Sequence, residues 1–506
     1  MMVFVPISVL ALFFAAAAPV REVGPARYHA VSPKRAVSSA DLVMSASRLP
    51  ARARHVLRAL AASEKTWLDT REWREGIRPK SRLKVGVARA LEGDVGFESM
   101  AADLRRERSL VAGGGLLEGT DDGRLVWTAA FASEGAAALR LHLRTAVLPP
   151  GSRVFVYSAA GDVRGPYTFD SGTAPEGFWT NTIYAPEMFL EVQVPGSDIA
   201  ALGRARLLVD AVAHLEYPEV APAGASRDGT LQPKSQTCFV DAACVSASEF
   251  PNLDDASHAV GQLTFQDGNS FFVCTGGLLN SNPQTFIPYL LTANHCFSTQ
   301  ASATSLEVVW NYKTATCGGV PPNPATLPQS LGSTLLATGT VSDFTLVQLS
   351  GDAPDGAVFL GWTTQDIATG GAGTILRRLS NSSGGPMVYT RERVSATPDP
   401  AACADSPQGN FIYEKDEMGG TGGGSSGSLA YTSDLQVVGQ ELGGCGLNVN
   451  DDCDVIQNST LDGAIRVSFP FLQPFIAPAQ TPVRDTVVLT PTRGEPRNTV
   501  TVPPRP

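Results

Sequence analysis

Apolar residues in this chain recur mostly at every second position, in short runs separated by glycine and proline. Leu83, Val85 and Val87 alternate with polar neighbours, as do Leu125 with Trp127, and Leu139, Leu141 and Leu143. Val154 with Val156, and the run Phe189–Val194, continue the period. A period of two marks half-buried strands. Pro149-Pro150-Gly151, Ala160-Gly161-Asp162 and Pro175-Glu176-Gly177 punctuate them. Short strands at this spacing predict a β-sandwich over residues 82–216.

A second set of strand-like runs follows between residues 238 and 470. It comprises Ala259–Phe265, Phe271–Val273, Leu306–Trp310, Phe344–Leu349, Leu435–Val438 and Ile465–Val467. Almost nothing here has the period of a long amphipathic helix, and about 230 residues of this kind suit a two-barrel β fold. Between and around these blocks the pattern weakens. Residues 19–81 are rich in Arg and Ala, with a helical rhythm around Val56-Leu57-Leu60 and Trp67-Leu68-Trp73, and read as a leader without its own core. Residues 217–237 read as a Pro/Ala/Ser-rich linker, and residues 471–506 as a Pro-rich disordered tail.

Composition agrees with an all-β reading. The 506 residues include 49 Gly and 36 Pro, with 43% hydrophobic and 17% charged positions, which favours turn-rich β architecture over helical bundles. The net charge of −10 is uneven: residues 1–234 carry about +3 and residues 235–506 about −13. An acidic second half argues against nucleic acid as its partner and would attract basic ligands.

All 8 cysteines (Cys238, Cys244, Cys274, Cys296, Cys317, Cys403, Cys445, Cys453) fall in that second half. None forms a CxxC pair of the zinc or redox kind, and an even count in one domain reads as disulfides made in an oxidising compartment. Residues 1–18, with an apolar core from Val3 to Phe14 and small residues before Pro19, read as a secretory signal. They lack the usual basic residue ahead of that core.

Three stretches carry candidate chemistry. Ile287 and Tyr289-Leu290-Leu291 lead into Thr292-Ala293-Asn294-His295-Cys296, a histidine at a strand end beside a cysteine that could be bridged. A general base needs such a fixed position to reach a nucleophile at about 3 Å. Thr421-Gly422-Gly423-Gly424-Ser425-Ser426-Gly427-Ser428 places serines among glycines, where the backbone can turn sharply and N–H groups can converge. Strand-like sequence resumes at Leu429, so this is no flexible linker. Between them, Ser342-Asp343-Phe344 sets a carboxylate at the mouth of an apolar strand, costly to bury unless it accepts hydrogen bonds.

The order His295, Asp343, Ser426 is that of the chymotrypsin-fold serine proteases, and Leu291–Cys296 and Gly424–Ser428 resemble the histidine and serine motifs of that fold. More narrowly, residues 236–470 resemble the bacterial lysyl endopeptidase branch. The supporting residues are Cys238 with Cys244, Trp310-Asn311-Tyr312 before Cys317, Ser342–Leu346, and Val438-Gly439-Gln440 leading into Gly443-Gly444. The resemblance implies a double β-barrel, with Ser426 as nucleophile, His295 as base and then acid, and Asp343 as the orienting carboxylate. It also implies an oxyanion hole from the N–H groups of Gly424 and Ser426, substrate binding at Gly443 and Gly444, and no cofactor or metal. Ser425 and Ser428 are the competing nucleophiles. The implied bridges are Cys274–Cys296 and Cys244–Cys317. Cys238 joins either Cys445 or Cys453, and Cys403 takes the other.

Asp462, four residues before Arg466, matches the carboxylate that receives a basic side chain in that branch, while Leu442 stands where the branch has histidine. The implied activity is endopeptidase cleavage of protein or peptide substrates after Lys or Arg, by a secreted monomer made as a precursor. The sandwich is then a jelly-roll-like pro-domain, acting as folding aid or inhibitor. Lys234-Ser235 in the linker is an expected self-cleavage point. The alternative is a catalytically silent adhesion or binding protein of the same fold.

Overall fold

The computed structural model describes residues 20–29, 37–43, 48–69, 82–97, 109–168, 178–196, 203–216, 238–396, 406–449 and 451–478. The expected signal, the 217–237 linker with Lys234, Cys403 and residues 479–506 of the expected tail lie outside the described residues.

In the N-terminal half the strands are β1 (Glu22–Val23), β2 (Ala26–Arg27), β3 (Arg54–Leu57) and β4 (Leu83–Phe97). Then come β5 (Ser109–Ala112), β6 (Gly115–Gly119), β7 (Arg124–Ser133) and β8 (Ala138–Val147). β9 (Arg153–Tyr157), β10 (Val163–Tyr167), β11 (Glu187–Pro195) and β12 (Arg206–Leu215) complete it. One sheet has the order β10-β9-β11-β7-β6-β5, and β4, β12 and β8 form an antiparallel layer facing it. Trp127, Phe131, Leu139, Leu141, Leu190 and Val209 fill the space between, as the alternation required.

The leader departs from its expected helical form. Val56 and Leu57 belong to β3, which lies parallel to β7, and Leu49 and Ala53 are buried in the sandwich. The stretch Ala130–Ser133 of β7, which β6 leaves unpaired, offers a hydrogen-bonding ladder that outweighs the weak helical spacing. Among the described residues of the leader an α-helix forms at Ala62–Asp69, which includes Trp67-Leu68, with single 3-10 turns at Ser39–Asp41 and Ala51–Ala53.

The C-terminal half begins with β13 (Val240–Asp241), β14 (Val260–Asp267), β15 (Ser270–Leu278) and β16 (Tyr289–Ala293). β17 (Glu307–Trp310), β18 (Gln329–Leu331), β19 (Ser333–Gly339) and β20 (Phe344–Leu349) follow. The order β18-β17-β14-β15-β16-β20-β19 makes an open half-barrel. β21 (Val358–Phe359) and β22 (Gly361–Thr363) lead to the second barrel. Its strands are β23 (Ile375–Ser380), β24 (Val388–Val394), β25 (Phe411–Met418), β26 (Leu429–Tyr431), β27 (Gln436–Gly446) and β28 (Asn458–Ala464). They run β27-β26-β23-β24-β25-β28, and pairing of β28 with β27 closes the ring of six. This two-barrel arrangement is the chymotrypsin type.

Ile465-Arg466-Val467, expected as strand, instead starts a helix, Ile465–Ile476, which contains Pro470 and Pro474. Its buried residues Ile465, Ser468, Leu472 and Ile476 recur every three or four positions and pack on the barrels. The domain therefore continues past residue 470, where proline content had suggested its end. Among the described residues no helix is long and apolar enough to cross a membrane.

The halves share backbone. β4 pairs with β12 on one side and with β15 on the other, so one sheet runs from the sandwich into the half-barrel. Polar groups at this seam satisfy each other across it. The buried Glu307 carboxylate accepts from Asn181 Nδ2 (2.8 Å), Thr182 N (3.0 Å) and the Thr182 hydroxyl. Buried Arg140 donates to the Ser305 carbonyl (2.9 Å), and Trp179 Nε1 donates to Gln266 (2.8 Å). A buried carboxylate left without such donors is strongly disfavoured. The leader reaches the same half: β1 pairs with β22 and β2 with β21.

Candidate active site

β16 and β20 pair in register from Tyr289–Gln348 to Ala293–Phe344, which brings the residues just beyond Ala293 next to the one just before Phe344. His295 and Asp343 are those residues. His295 Nδ1 lies 2.6 Å from Asp343 Oδ2, and the His295 N–H donates to Oδ1 at 2.9 Å. Asp343 is 5% exposed, so both carboxylate oxygens find their donors on His295. Its φ of 52° lies in the left-handed region, which aspartate tolerates better than most side chains. Asn294 N donates to the Asp343 carbonyl (2.9 Å), and Gln440 Nε2 donates to the carbonyls of Ser342 (2.6 Å) and Asp343 (3.2 Å). With Nδ1 turned to a carboxylate, the proton belongs there and Nε2 keeps its lone pair. His295 Nε2 is buried and has no hydrogen-bond partner among the described residues.

The glycine-serine run is a tight turn. Ser425 N donates to Gly422 O (2.9 Å) and Ser428 N to Ser425 O (2.9 Å). Gly427 has φ 79°, and a Cβ there would come within 2.1 Å of Thr292 Oγ1 and 2.7 Å of Thr275 O, so only glycine fits. The three serines differ in what holds their hydroxyls. Ser425 Oγ donates to Gly422 O (2.6 Å), while Ser428 Oγ donates to Glu441 Oε2 (3.1 Å) and accepts from Arg378 Nη1 (3.1 Å). Ser426 is anchored through its backbone, its carbonyl accepting from Thr275 N at 2.9 Å. Thr275 Oγ1 also donates to the Gly424 carbonyl (2.9 Å), which fixes the Gly424–Ser425 peptide against β15. Gly424 has φ 93°.

Bridges tie these pieces together. Cys274 in β15 is bonded to Cys296, Cys244 to Cys317, and Cys238 to Cys453, which resolves the alternative left open for Cys238. The first bridge fixes the segment carrying His295 to the strand whose Thr275 holds Ser426.

Asp462 occupies a different setting. It is fully buried in β28 opposite Glu441 of β27, and both its oxygens accept from Arg378 Nη2, at 2.7 and 2.6 Å. Glu392 accepts from Arg378 Nε (3.0 Å), and Glu414 and Glu441 lie at 3.5 and 4.0 Å from the guanidinium. Glu392, Glu414 and Asp462 converge closely enough to surround a cation, and the cation they surround is Arg378. Burial pushes the Glu414 carboxyl well above the usual carboxylate range, with the neighbouring charges of Asp462 and Glu392 adding to it. Burial raises Glu392 and Asp462 too, against the pull of Arg378. Gly443 and Gly444 lie on β27, and a small cleft beside Gly444 is lined also by Asp416, Asp452, Asp454 and Thr460. Asp451 and Asp454 of that loop accept from Cys453 N and from Asn448 and Gln457, so they also order the loop itself.

Reading the sequence missed Thr275, Gln440 and Arg378. Thr275 stands beside the noted Cys274, and its role rests on a pairing between strands far apart in sequence. Arg378 follows Arg377, and nothing local says which of the two turns inward.

Comparison with known proteins covers both halves. The lysyl endopeptidase N-terminal domain matches residues 56–216, and the lysyl endopeptidase C-terminal domain matches residues 232–456. A lysyl endopeptidase of Pseudomonas aeruginosa is 28% identical over 297 residues, which span 55% of this chain and 59% of that protein. Among solved structures, the HtrA-type protease AlgW with a tripeptide has a TM-score of 0.32 at 16% identity, covering 46% of this chain and 64% of that one. A serine endoprotease from Yersinia pestis has a TM-score of 0.31 at 12% identity, over 46% and 67%. With both lysyl endopeptidase domains matched in this order over most of its length, the chain belongs to the lysyl endopeptidase family and has the chymotrypsin-type fold.

Proposed function

We propose that this protein is a secreted serine endopeptidase, made as a precursor, that hydrolyses peptide bonds after Lys or Arg. The observation that carries the reading is the His295–Asp343 pair, with its outward nitrogen left unpartnered beside the turn that presents Ser426. Ser426 Oγ attacks the scissile carbonyl while His295 Nε2 takes its proton, and the oxyanion meets the N–H groups of Gly424 and Ser426. His295 then gives the proton to the departing amine, leaving an acyl-enzyme that water hydrolyses by the same path. Each oxyanion donor contributes about 3–4 kcal/mol to the transition state.

A preference for basic side chains is supported by the aspartate-lined cleft beside Gly444 and by the surplus of carboxylates over the one guanidinium near Asp462. Asp462 itself already holds Arg378, so it acts within a shared charge cluster and not as a lone receptor. The N-terminal sandwich is the pro-domain. Lys234–Ser235 is the self-cleavage point.

A fluorophosphonate probe tests the chemistry: labelling of wild type and none of Ser426→Ala is expected. Failure to label processed wild type would favour the silent binding protein. Profiling with a peptide library tests specificity, and a preference for Glu or large apolar residues before the scissile bond would remove the basic-residue reading. N-terminal sequencing of the processed protein checks the cleavage point.

A further inference from the structure

We propose that the edge of β15 at Ser270–Val273 is the docking edge for the leaving-group side of an extended substrate, and that β4 holds it closed. This rests on the proposed serine endopeptidase reading. A substrate over Ser426 that lays its acyl side along Gly443 and Gly444 of β27 sends its other half the opposite way, toward β15. There the strand is used unequally. Gly277 and Leu278 pair with β16, but Ser270–Val273 extends beyond β16 and offers its backbone to another chain. Val273 is two residues from Thr275, the residue whose N–H holds the Ser426 carbonyl, a distance of about 7 Å along a strand. Main-chain pairing at such an edge is how proteases and peptide-binding domains hold extended chains of varied sequence.

β4 fills this edge in the direction a substrate would take. Leu83 lies opposite Val273, Lys84 opposite Phe272, Gly86 opposite Phe271 and Val87 opposite Ser270. The chain thus enters near the nucleophile and leads away from it, as the residues after a scissile bond must. Arg82, at the entering end, fastens it. Its Nη1 lies 2.5 Å from Asp267 Oδ2 and donates to the Cys296 carbonyl at 2.9 Å, and its guanidinium is 3.9 Å over the Phe272 ring. Cys296 is the neighbour of His295, so the clamp grips the active-site rim itself. On its other edge β4 pairs with β12 of the sandwich, which keeps it extended.

The test uses the full chain and the processed protein freed of its N-terminal half. Two substrates share one acyl sequence: an anilide with nothing beyond the scissile bond, and a quenched peptide with four further residues. The expected result is that both forms hydrolyse the anilide, whereas the full chain cleaves the peptide at least about 100-fold more slowly than the freed form. Arg82→Ala in the full chain should raise the peptide rate about tenfold relative to the anilide. Amide exchange at Phe271 and Val273, whose N–H groups face β4 while that of Phe272 faces β14, should be slow only while β4 is present, which decides the matter even where the variant does not fold. An unchanged ratio of the two substrates between the forms overturns the proposal, as does equal loss of both in the full chain, which would put the block at the serine. Absence of fluorophosphonate labelling in either form instead sinks the endopeptidase reading and this one with it.

Discussion

Two buried aspartates in this protein hold nitrogen bases, and they end in opposite roles. Asp343 grips His295 on one side only, with both carboxylate oxygens on the same residue, and the far nitrogen of the ring is left without a partner. Asp462 grips Arg378, but Glu392 holds Arg378 from a second side and the Ser428 carbonyl takes Nη1 at 2.7 Å. The His295 side chain is 17% exposed, whereas that of Arg378 is wholly buried. A base can work only if one of its nitrogens still has something to bind. Saturation turns the second pair into architecture that fixes β23, β24, β25 and β28 against each other.

Breaking the first pair, or removing the serine it is proposed to serve, should cost activity and little stability. Ser426→Ala should lower kcat/KM by about 10⁵–10⁶-fold. Asp343→Asn, which leaves the imidazole in the wrong tautomer, should lose about 10⁴-fold. Steady-state kinetics measures both, and denaturant midpoints near wild type separate them from misfolding. Breaking the second pair should do the reverse. Arg378→Met strands several buried carboxylates and should cost about 3–5 kcal/mol in denaturant unfolding. A variant as stable as wild type would show that the cluster does not hold the barrel.

Removing the bridge that joins the two strands of the site, by Cys274→Ala with Cys296→Ala, should cost about 3 kcal/mol for a loop of this length. Activity should fall with it, because Thr275 and His295 then lose their common anchor. The smallest effect concerns pH. Glu414 has its carboxyl raised by burial, so its folded form binds a proton more tightly than its unfolded form. Its contribution is complete below the ordinary glutamate value and is lost as pH rises through the raised one. Glu414→Gln should therefore gain stability relative to wild type as pH rises, read as a widening gap between denaturant midpoints from acid to neutral pH.

Much of this was legible in residue order. Strands and turns followed the alternation, and His295, Asp343 and Ser426 each stood in a local setting that pointed to its chemistry. What escaped were facts of tertiary position. Val56–Leu57 became strand because β7 has an edge to fill, and Ile465–Ile476 became helix because barrel surfaces needed an apolar face, despite two prolines. Asp462 could be matched by motif, but the guanidinium beside it comes from a strand 84 residues earlier. No window of sequence holds both.

The leader adds a consequence in kinetics. Glu22–Val23 and Ala26–Arg27 bind β22 and β21, while Leu83–Val87 binds β15, far along the same half. If the proposed cut in the linker is made, the N-terminal piece is still held at two places, by the leader at β21 and β22 and by the sandwich along its whole seam with β15 and Glu307. When one contact opens, the other holds it at an effective concentration near the millimolar range, so rebinding outpaces escape. Severing the covalent link and losing the partner are then separate events, and a second cut between residues 29 and 82 would divide one slow departure into two fast ones.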